Sequence, residues 1–130
     1  MDLRSALLNT LIGRFGADAF VPGTEDAVAV FPEAHADVGP VIVCDDGDEA
    51  TVTVGTITHG HFNDFDQPLA VAVQQIAIDV ADFLEALFAG RVVLWRSRTG
   101  MSAGWRWLAD DEQPTLQPDA TTYLWQGPIG

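Results

Sequence analysis

Residues 68–90, PLAVAVQQIAIDVADFLEALFAG, form the main run of helically spaced apolar side chains in the sequence. Pro68 suits the first turn of a helix, because the N–H that proline lacks would have no partner there. Gly90 is typical of a helix end. The segment therefore predicts one long amphipathic helix over residues 68–89. Its apolar stripe consists of Leu69, Val73, Ile76, Ala77, Val80, Phe83, Leu84, Leu87 and Phe88.

Three alternating or β-branched segments precede this helix and predict strands. They are AVAVF at 27–31, VIVC at 41–44 and ATVTVGTIT at 50–58. The last two form a hairpin, since Asp46-Gly47 between them is a typical tight-turn pair. The acidic run around that turn, DDGDE, lacks the spacing of an EF-hand loop and is interpreted as a solvated turn. Further upstream, Asp2 is placed to cap a helix, and Gly13 and Gly16 end it.

Three more strands are predicted after the long helix. They are RVVLWRSR at 91–98, GWRWLA at 104–109 and TTYLWQ at 121–126, and the final GPIG is expected to fray. Their short connections favour antiparallel pairing. The fold class is therefore α+β: an antiparallel β-sheet of about five or six strands packed against one long amphipathic helix, plus an N-terminal helix. At 130 residues the chain is expected to form a single domain, 1–130.

Charge composition limits the classes of function. Nineteen acidic residues face six basic ones, for a formal net charge of -13, and every basic residue is an arginine. Without lysine, neither Schiff-base chemistry nor a phosphate-loop lysine is available. The negative field repels nucleic acid and favours a basic protein partner. Cys44 is the single cysteine, so no internal disulfide forms, and its apolar neighbours favour a buried role.

The N-terminal sequence MDLRSALLNTLIG does not resemble a secretory signal, because it carries an acid at Asp2 and no continuous apolar core. No apolar run reaches the ~20 residues of a membrane span. We therefore expect a cytoplasmic protein without membrane contact. An exposed edge strand, or the apolar C-terminal strand, offers a route to a homodimer.

The stretch THGHFNDFD at 58–66 contains a candidate metal site. If the strand continues through it, His59 and His61 lie on one face with Cα atoms about 6.5 Å apart. Two imidazoles at that spacing, with Asp64 or Asp66 as a third ligand, suit a divalent transition metal such as zinc or nickel. The alternative interpretation is a polar strand end followed by a turn, with Asp66 capping the next helix. No other cofactor is indicated.

A second candidate site is the arginine-rich hairpin RVVLWRSRTGMSAGWRWL at 91–108. If its turn centres on Met101, Trp95 lies opposite Trp107 and Arg96 lies opposite Arg106, with Arg98 on the same face as Arg96. Like charges opposite each other on a sheet need an anion between them. The hairpin therefore predicts either a small-anion site with tryptophan walls or arginines that pair with the chain's own acids.

The runs CDDGDEATVTVGTITHGHF and DVADFLEALFAGRVVLWRS resemble a type of small bacterial protein of unknown function, over residues 25–108. That resemblance implies no particular activity. In size and charge the chain also resembles the small acidic immunity proteins that neutralise bacterial toxins.

Catalysis finds little support in the sequence, since none of its serines lies in a GxSxG motif. The leading hypothesis is a non-enzymatic, immunity- or regulator-like protein that binds a basic partner. A metal-binding protein or metal-dependent enzyme that uses the histidine pair is the second hypothesis. A small-anion-binding domain that uses the arginine hairpin is the third.

Overall fold

The computed structural model describes residues 1–129, which form two α-helices, a short 3₁₀ helix and nine β-strands. The helices are α1 (Leu3–Phe15), the 3₁₀ helix (Ala17–Ala19) and α2 (Leu69–Phe88). The strands are β1 (Val21–Pro22), β2 (Ala27–Phe31), β3 (Val41–Asp45), β4 (Glu49–Val54), β5 (Thr58–Asn63), β6 (Val92–Ser97), β7 (Ala103–Trp107), β8 (Ala120–Leu124) and β9 (Gly127–Ile129). The α+β class, the N-terminal helix and the long amphipathic helix are confirmed.

The strands form two antiparallel sheets rather than one. The first sheet has the order β1-β2-β3-β4-β5 and the second has the order β7-β6-β8-β9. Strand β5 contacts β6 and β7 but has no ladder with either, so the sheet breaks where α2 interrupts the run of strands. Alternation along a strand reports which face is buried, but it does not report the neighbouring strand. The sequence therefore predicted the strands before and after α2, but it did not show that the two groups form separate sheets.

The predicted strand at 50–58 is two strands joined by a tight turn at Gly55. Gly55 has a φ of 52°, and a Cβ built there would lie 1.7 Å from the carbonyl oxygen of Val38. Only glycine fits this combination of backbone conformation and close approach. The chain reverses at this turn, and the stretch that begins at Thr58 becomes a full strand of its own.

Helix α2 supplies the centre of the hydrophobic core. Its inward residues Ile76, Val80, Leu84 and Leu87 are fully buried. They pack with α1 and with the inner face of the first sheet. Because each such side chain contributes about 1.5–3 kcal/mol when buried, this stripe dominates the folding free energy. The apolar periodicity read from the sequence is thus the element on which the fold depends.

One face of the first sheet is turned to solvent. Along β4, buried positions alternate with partly exposed ones, and β5 alternates in the same way. An antiparallel sheet with one solvated face shows this pattern. The outer positions of the two strands are Glu49, Thr51 and Thr53 on β4 and His59, His61 and Asn63 on β5.

Several details at the ends of elements test the sequence predictions. The carboxylate of Asp2 accepts from the N–H of Ser5 at 2.8 Å, which confirms the cap of α1. Hydrogen bonding to the side chain and then to the backbone of Ser5 lowers the pKa of Asp2. Asp66 does not cap α2, because the chain enters that helix through Pro68 without a side-chain cap. The C-terminal segment does not fray through Ile129, since β9 pairs with β8. Neither helix of residues 1–129 is long and apolar enough to cross a membrane.

Candidate functional sites

A group of three potential metal ligands lies at one end of the outer face. Asp46, Glu49 and His61 each offer one ligand atom, and these atoms lie within 4.8 Å of one another. Asp46 belongs to the turn between β3 and β4, Glu49 begins β4, and His61 lies on β5. We call these three residues the carboxylate–imidazole group. It joins an acidic turn to a neighbouring strand by ordinary antiparallel pairing.

Thr51 lies directly opposite His61 in the β4–β5 ladder and links the members of the group. Its hydroxyl donates to the carboxylate of Asp46, and its oxygen lies 3.2 Å from Nδ1 of His61. The same Nδ1 lies 2.9 Å from a carboxylate oxygen of Glu49. Because the hydroxyl proton is directed to Asp46, Nδ1 of His61 is the donor to Thr51 and Glu49.

Imidazole nitrogen and carboxylate oxygen are ligands that zinc and other divalent transition metals accept. A metal bound at Nδ1 would replace the proton that His61 shares with Glu49 and Thr51. The carboxylate–imidazole group can therefore hold either the hydrogen bond between His61 and Glu49 or a cation, with Asp46 and His61 exposed and Glu49 half-buried. The ligand set is open to solvent on one side.

The sequence named His59, His61 and Asp64, and the structure brings two of them together. His59 and His61 both lie on the outer face, with ring centroids 5.0 Å apart and the rings edge to face. Asp64 follows the end of β5. Within residues 1–129, the carboxylate–imidazole group includes His61 but neither His59 nor Asp64. The metal prediction itself stays a prediction.

Asp46 and Glu49 were missed because their relation to His61 depends on the turn at Gly55. The sequence pattern predicted a continuous strand over 50–58, without the chain reversal that places the histidine strand beside β4. With the reversal, Glu49 lies opposite Asn63 and next to the Thr51–His61 pair. The signal was present in the glycine itself, since an isolated glycine in a strand pattern indicates a bulge or a close backbone approach.

The arginine hairpin has a different register from the predicted one. Trp95 lies opposite Gly104, and Arg96 lies opposite Ala103. The turn occupies residues 98–101 and centres between Thr99 and Gly100 instead of on Met101. The partners of Trp95 and Arg96 are therefore three positions away from the predicted ones. A shift by an odd number of residues places the side chains of the return strand on the opposite face of the sheet. The prediction that Arg96 lies opposite Arg106 is therefore wrong.

The two predicted tryptophan walls lie on opposite faces of β6–β7. Trp107 shares the inner face with Trp105, at a ring-centroid distance of 5.7 Å, and Trp105 packs against Phe83 at 4.6 Å. Trp95 covers the outer side of Gly104, where an added Cβ would lie 2.7 Å from its ring. Trp107 is 46% exposed at the margin of this cluster. Trp95 and Trp107 therefore do not enclose one site.

Most guanidinium groups are occupied by acceptors of the protein itself. Arg106 pairs with Glu112 at 2.7 Å, as the internal-pairing interpretation predicts. The backbone N–H of Ala109 and the guanidinium of Arg106 hold the pKa of Glu112 below its usual range. The remaining contacts are Arg4 to the carbonyls of residues 23, 25 and 27, Arg14 to Asp82 and Glu85, Arg91 to the carbonyls of residues 109 and 112, and Arg96 to the carbonyl of Thr56.

A cavity of about 220 Å³ opens where both helices end. We call it the aromatic pocket, and it is lined by Phe15, Ala19, Phe31, Pro32, Phe88 and Trp125. The rings contact one another, with centroids 5.6 Å apart for Phe15–Phe31, 5.2 Å for Phe31–Phe88 and 5.1 Å for Phe88–Trp125. Its lining residues come from distant parts of the chain, so sequence spacing gave no sign of it.

No protein-family model, curated protein or solved structure matches this chain. The comparisons therefore assign no function, and the resemblances to small bacterial proteins and to immunity proteins stay predictions.

Proposed function

We propose that this protein is a non-enzymatic binding protein whose acidic surface takes up a basic segment of another protein. The observation that carries the proposal is that most of the arginines are bound by acceptors of the protein itself, whereas most of the carboxylates are not paired with arginine. Apart from Arg98, the arginines are occupied by the protein's own carbonyls and carboxylates. None of the nineteen acidic side chains is buried. The negative charge is thus directed to solvent and to partners.

Ion pairs inside the protein neutralise little of this charge. In the part of the chain described, the acids paired with arginine are Asp82, Glu85 and Glu112. A surface with many uncompensated carboxylates attracts a cationic partner over roughly one Debye length, about 8 Å at physiological salt. Such a field raises the rate of association by roughly 10–10³-fold and discriminates against acidic partners.

The lone thiol favours binding over covalent catalysis. Burial raises the pKa of Cys44, and the carboxylates of Asp46 and Asp26 raise it further. A thiol with a raised pKa stays protonated at neutral pH, whereas a nucleophilic cysteine needs a lowered pKa. Ser97, which lies within the arginine hairpin, accepts from the N–H of Ser102 and bonds to Thr99, as a residue that stabilises a turn does.

The proposal is tested with a twelve-residue peptide of alternating arginine and serine, titrated calorimetrically at low and at high salt. We expect binding whose affinity falls about tenfold or more as salt rises, because surface ion pairing is screened. The control peptide carries citrulline at every arginine position, which keeps the shape and removes the charge. Equal binding of both peptides, or no binding at low salt, contradicts the proposal.

A second candidate function, divalent metal binding, is favoured by the carboxylate–imidazole group. Its ligand atoms lie within 4.8 Å of one another. Calorimetric titration with zinc, together with elemental analysis of the purified protein, tests this candidate. A stoichiometric site that disappears in Glu49→Gln supports it. Zinc uptake that is unchanged in that variant assigns the metal elsewhere.

A further inference from the structure

We infer that the aromatic pocket binds the cationic side chain of an arginine from the basic partner. This inference rests on the proposed function and names the place where a partner side chain is anchored. The pocket, at about 220 Å³, is smaller than the roughly 300–1,000 Å³ of sites for drug-sized ligands. It therefore suits one side chain better than a whole small molecule.

Aromatic rings supply the walls of the pocket. Phe15 and Phe88 are half-buried, and Phe31 and Trp125 close the base with 3% and 7% of their surface exposed. The faces of such rings carry negative electrostatic potential and attract a guanidinium or ammonium group. Guanidinium also stacks on aromatic faces because it is planar and weakly hydrated, which favours arginine over lysine as the occupant.

Both α-helices end at this pocket. Phe15 is the last residue of α1, and Phe88 is the last residue of α2. The C-terminus of a helix carries about half a negative charge from its aligned peptide dipoles. The last turn of α2 contains no basic residue, and Arg14 in the last turn of α1 is engaged by Asp82 and Glu85. The carbonyls of residues 85–88 at the end of α2 accept hydrogen bonds from Ala89, Arg91, Gly90 and Gln126 respectively, so a cation in the pocket would draw mainly on the end of α1.

Two carboxylates are next in sequence to lining residues of the pocket, but neither lines it, and Glu33 lines a separate cavity beside Val38 and Gly55. Asp18 precedes the lining residue Ala19, and Glu33 follows the lining residue Pro32. Both are exposed, and neither forms an ion pair with any residue from 1 to 129. An apolar side chain would gain nothing from these charges or from the helix ends. Aromatic walls, the C-terminus of α1 and two unpaired carboxylates next in sequence to the lining together point to a cation.

The inference is tested with a pair of five-residue peptides that carry one central arginine or one central citrulline between glycines. Binding is followed by NMR through the indole N–H of Trp125. We expect the arginine peptide to bind about tenfold more tightly than the citrulline peptide, since only the first gains cation–π and helix-end attraction. Equal affinities would mean that the pocket recognises shape or apolar surface, which overturns the inference.

Variants of the pocket separate its electrostatics from its packing. In Asp18→Asn/Glu33→Gln we expect arginine-peptide affinity to fall about threefold and citrulline-peptide affinity to stay unchanged. The matched control is Asp110→Asn/Asp111→Asn, which removes the same charge from an exposed segment that contributes no lining residue to the pocket. A similar loss in both double variants would show that only net charge matters and would overturn the inference.

Failure of the pocket and failure of the proposed function give different results. If the arginine–serine peptide binds with strong salt dependence while the Trp125 indole signal stays unchanged, the pocket inference falls and the proposed function stands. If neither the twelve-residue nor the five-residue arginine peptide binds, both fall. Phe15→Leu gives a further check, because it removes one half-buried ring while keeping an apolar side chain at the pocket wall.

Discussion

The carboxylate–imidazole group and the aromatic pocket are assembled in opposite ways. The first is drawn from one stretch of sixteen residues, 46–61, by two antiparallel strands and their turns. The second combines residues from both helix ends, the end of β2 and the turn after β8. One is polar and solvent-facing, and the other continues the hydrophobic core. The carboxylate–imidazole group thus depends on pairing between neighbouring strands, whereas the aromatic pocket depends on tertiary packing.

The largest effect is expected from Phe31→Ala, which tests whether the pocket wall is part of the core. Phe31 is 3% exposed and contacts Phe15, Phe20 and Phe88. Removing its ring should lower the free energy of unfolding by about 3–5 kcal/mol in urea denaturation, because a cavity remains. Thr53→Ala on the outer face is the control, with an expected change within about 0.5 kcal/mol. If both variants lowered the free energy of unfolding by similar amounts, the pocket wall would not differ from the outer sheet face in its contribution to the core.

Gly55→Ala tests the one distant contact on which the local polar group depends. The added methyl group would collide with the carbonyl of Val38, and the positive φ would be strained. We expect the free energy of unfolding to fall by about 2–3 kcal/mol. We also expect the NMR chemical shifts of His61 to change.

The matched control for that variant is Gly47→Ala. Gly47 also has a positive φ, of 97°, but nothing lies within 4 Å of an added Cβ. Backbone strain alone costs about 1–2 kcal/mol there. If Gly47→Ala were the more damaging of the two, the close approach of Gly55 to Val38 would not be what fixes the turn.

Zinc affinity tests which residues make up the polar group. His61→Ala should weaken zinc binding at least about tenfold, because the imidazole is the one nitrogen ligand of the group. His35→Ala, which changes a histidine outside the group, should leave zinc binding unchanged. Loss of zinc in His59→Ala but not in Glu49→Gln would instead favour the set His59, His61 and Asp64 named from the sequence.

The smallest effect is expected at Glu112, a local polar contact outside both regions. The lowered pKa of Glu112 means that its contribution to stability is present above its usual pKa of 4.5 and is lost as pH falls through the lowered value. The urea midpoint of Glu112→Gln should therefore lie slightly below that of the unchanged protein at pH 6. The two midpoints should converge under strongly acidic conditions. A difference that grew as pH fell would reverse the sign and reject this account.

The sequence specified what depends on periodicity and composition. The apolar stripe of α2, the hairpin from β3 to β4 and the cap at Asp2 follow from spacing and residue type, and all are present. The predicted register of the hairpin from β6 to β7 was wrong. The position of the turn sets the register, and the segment TGMSA is compatible with more than one turn position. The split into two sheets and the aromatic pocket were not visible, since they depend on contacts between residues far apart in the chain.

The candidate polar site was half visible for the same reason. His59 and His61 share a face, as alternation requires, while the acids next to His61 come from a strand that the missed turn at Gly55 brings alongside. Recognition of that glycine as a turn would have placed Glu49 and Asp46 beside the histidine. The aromatic pocket had no comparable local signal.

NMR mapping of the arginine–serine peptide on isotope-labelled protein tests the central claim most directly. The account predicts that shifts concentrate around the aromatic pocket, at Trp125 and at the ends of α1 and α2, and that they diminish as salt is added. Shifts spread evenly over all exposed carboxylates, with none at Trp125, would mean that the peptide binds only through net charge. That result would contradict the claim that the surface takes up a basic segment at a defined place.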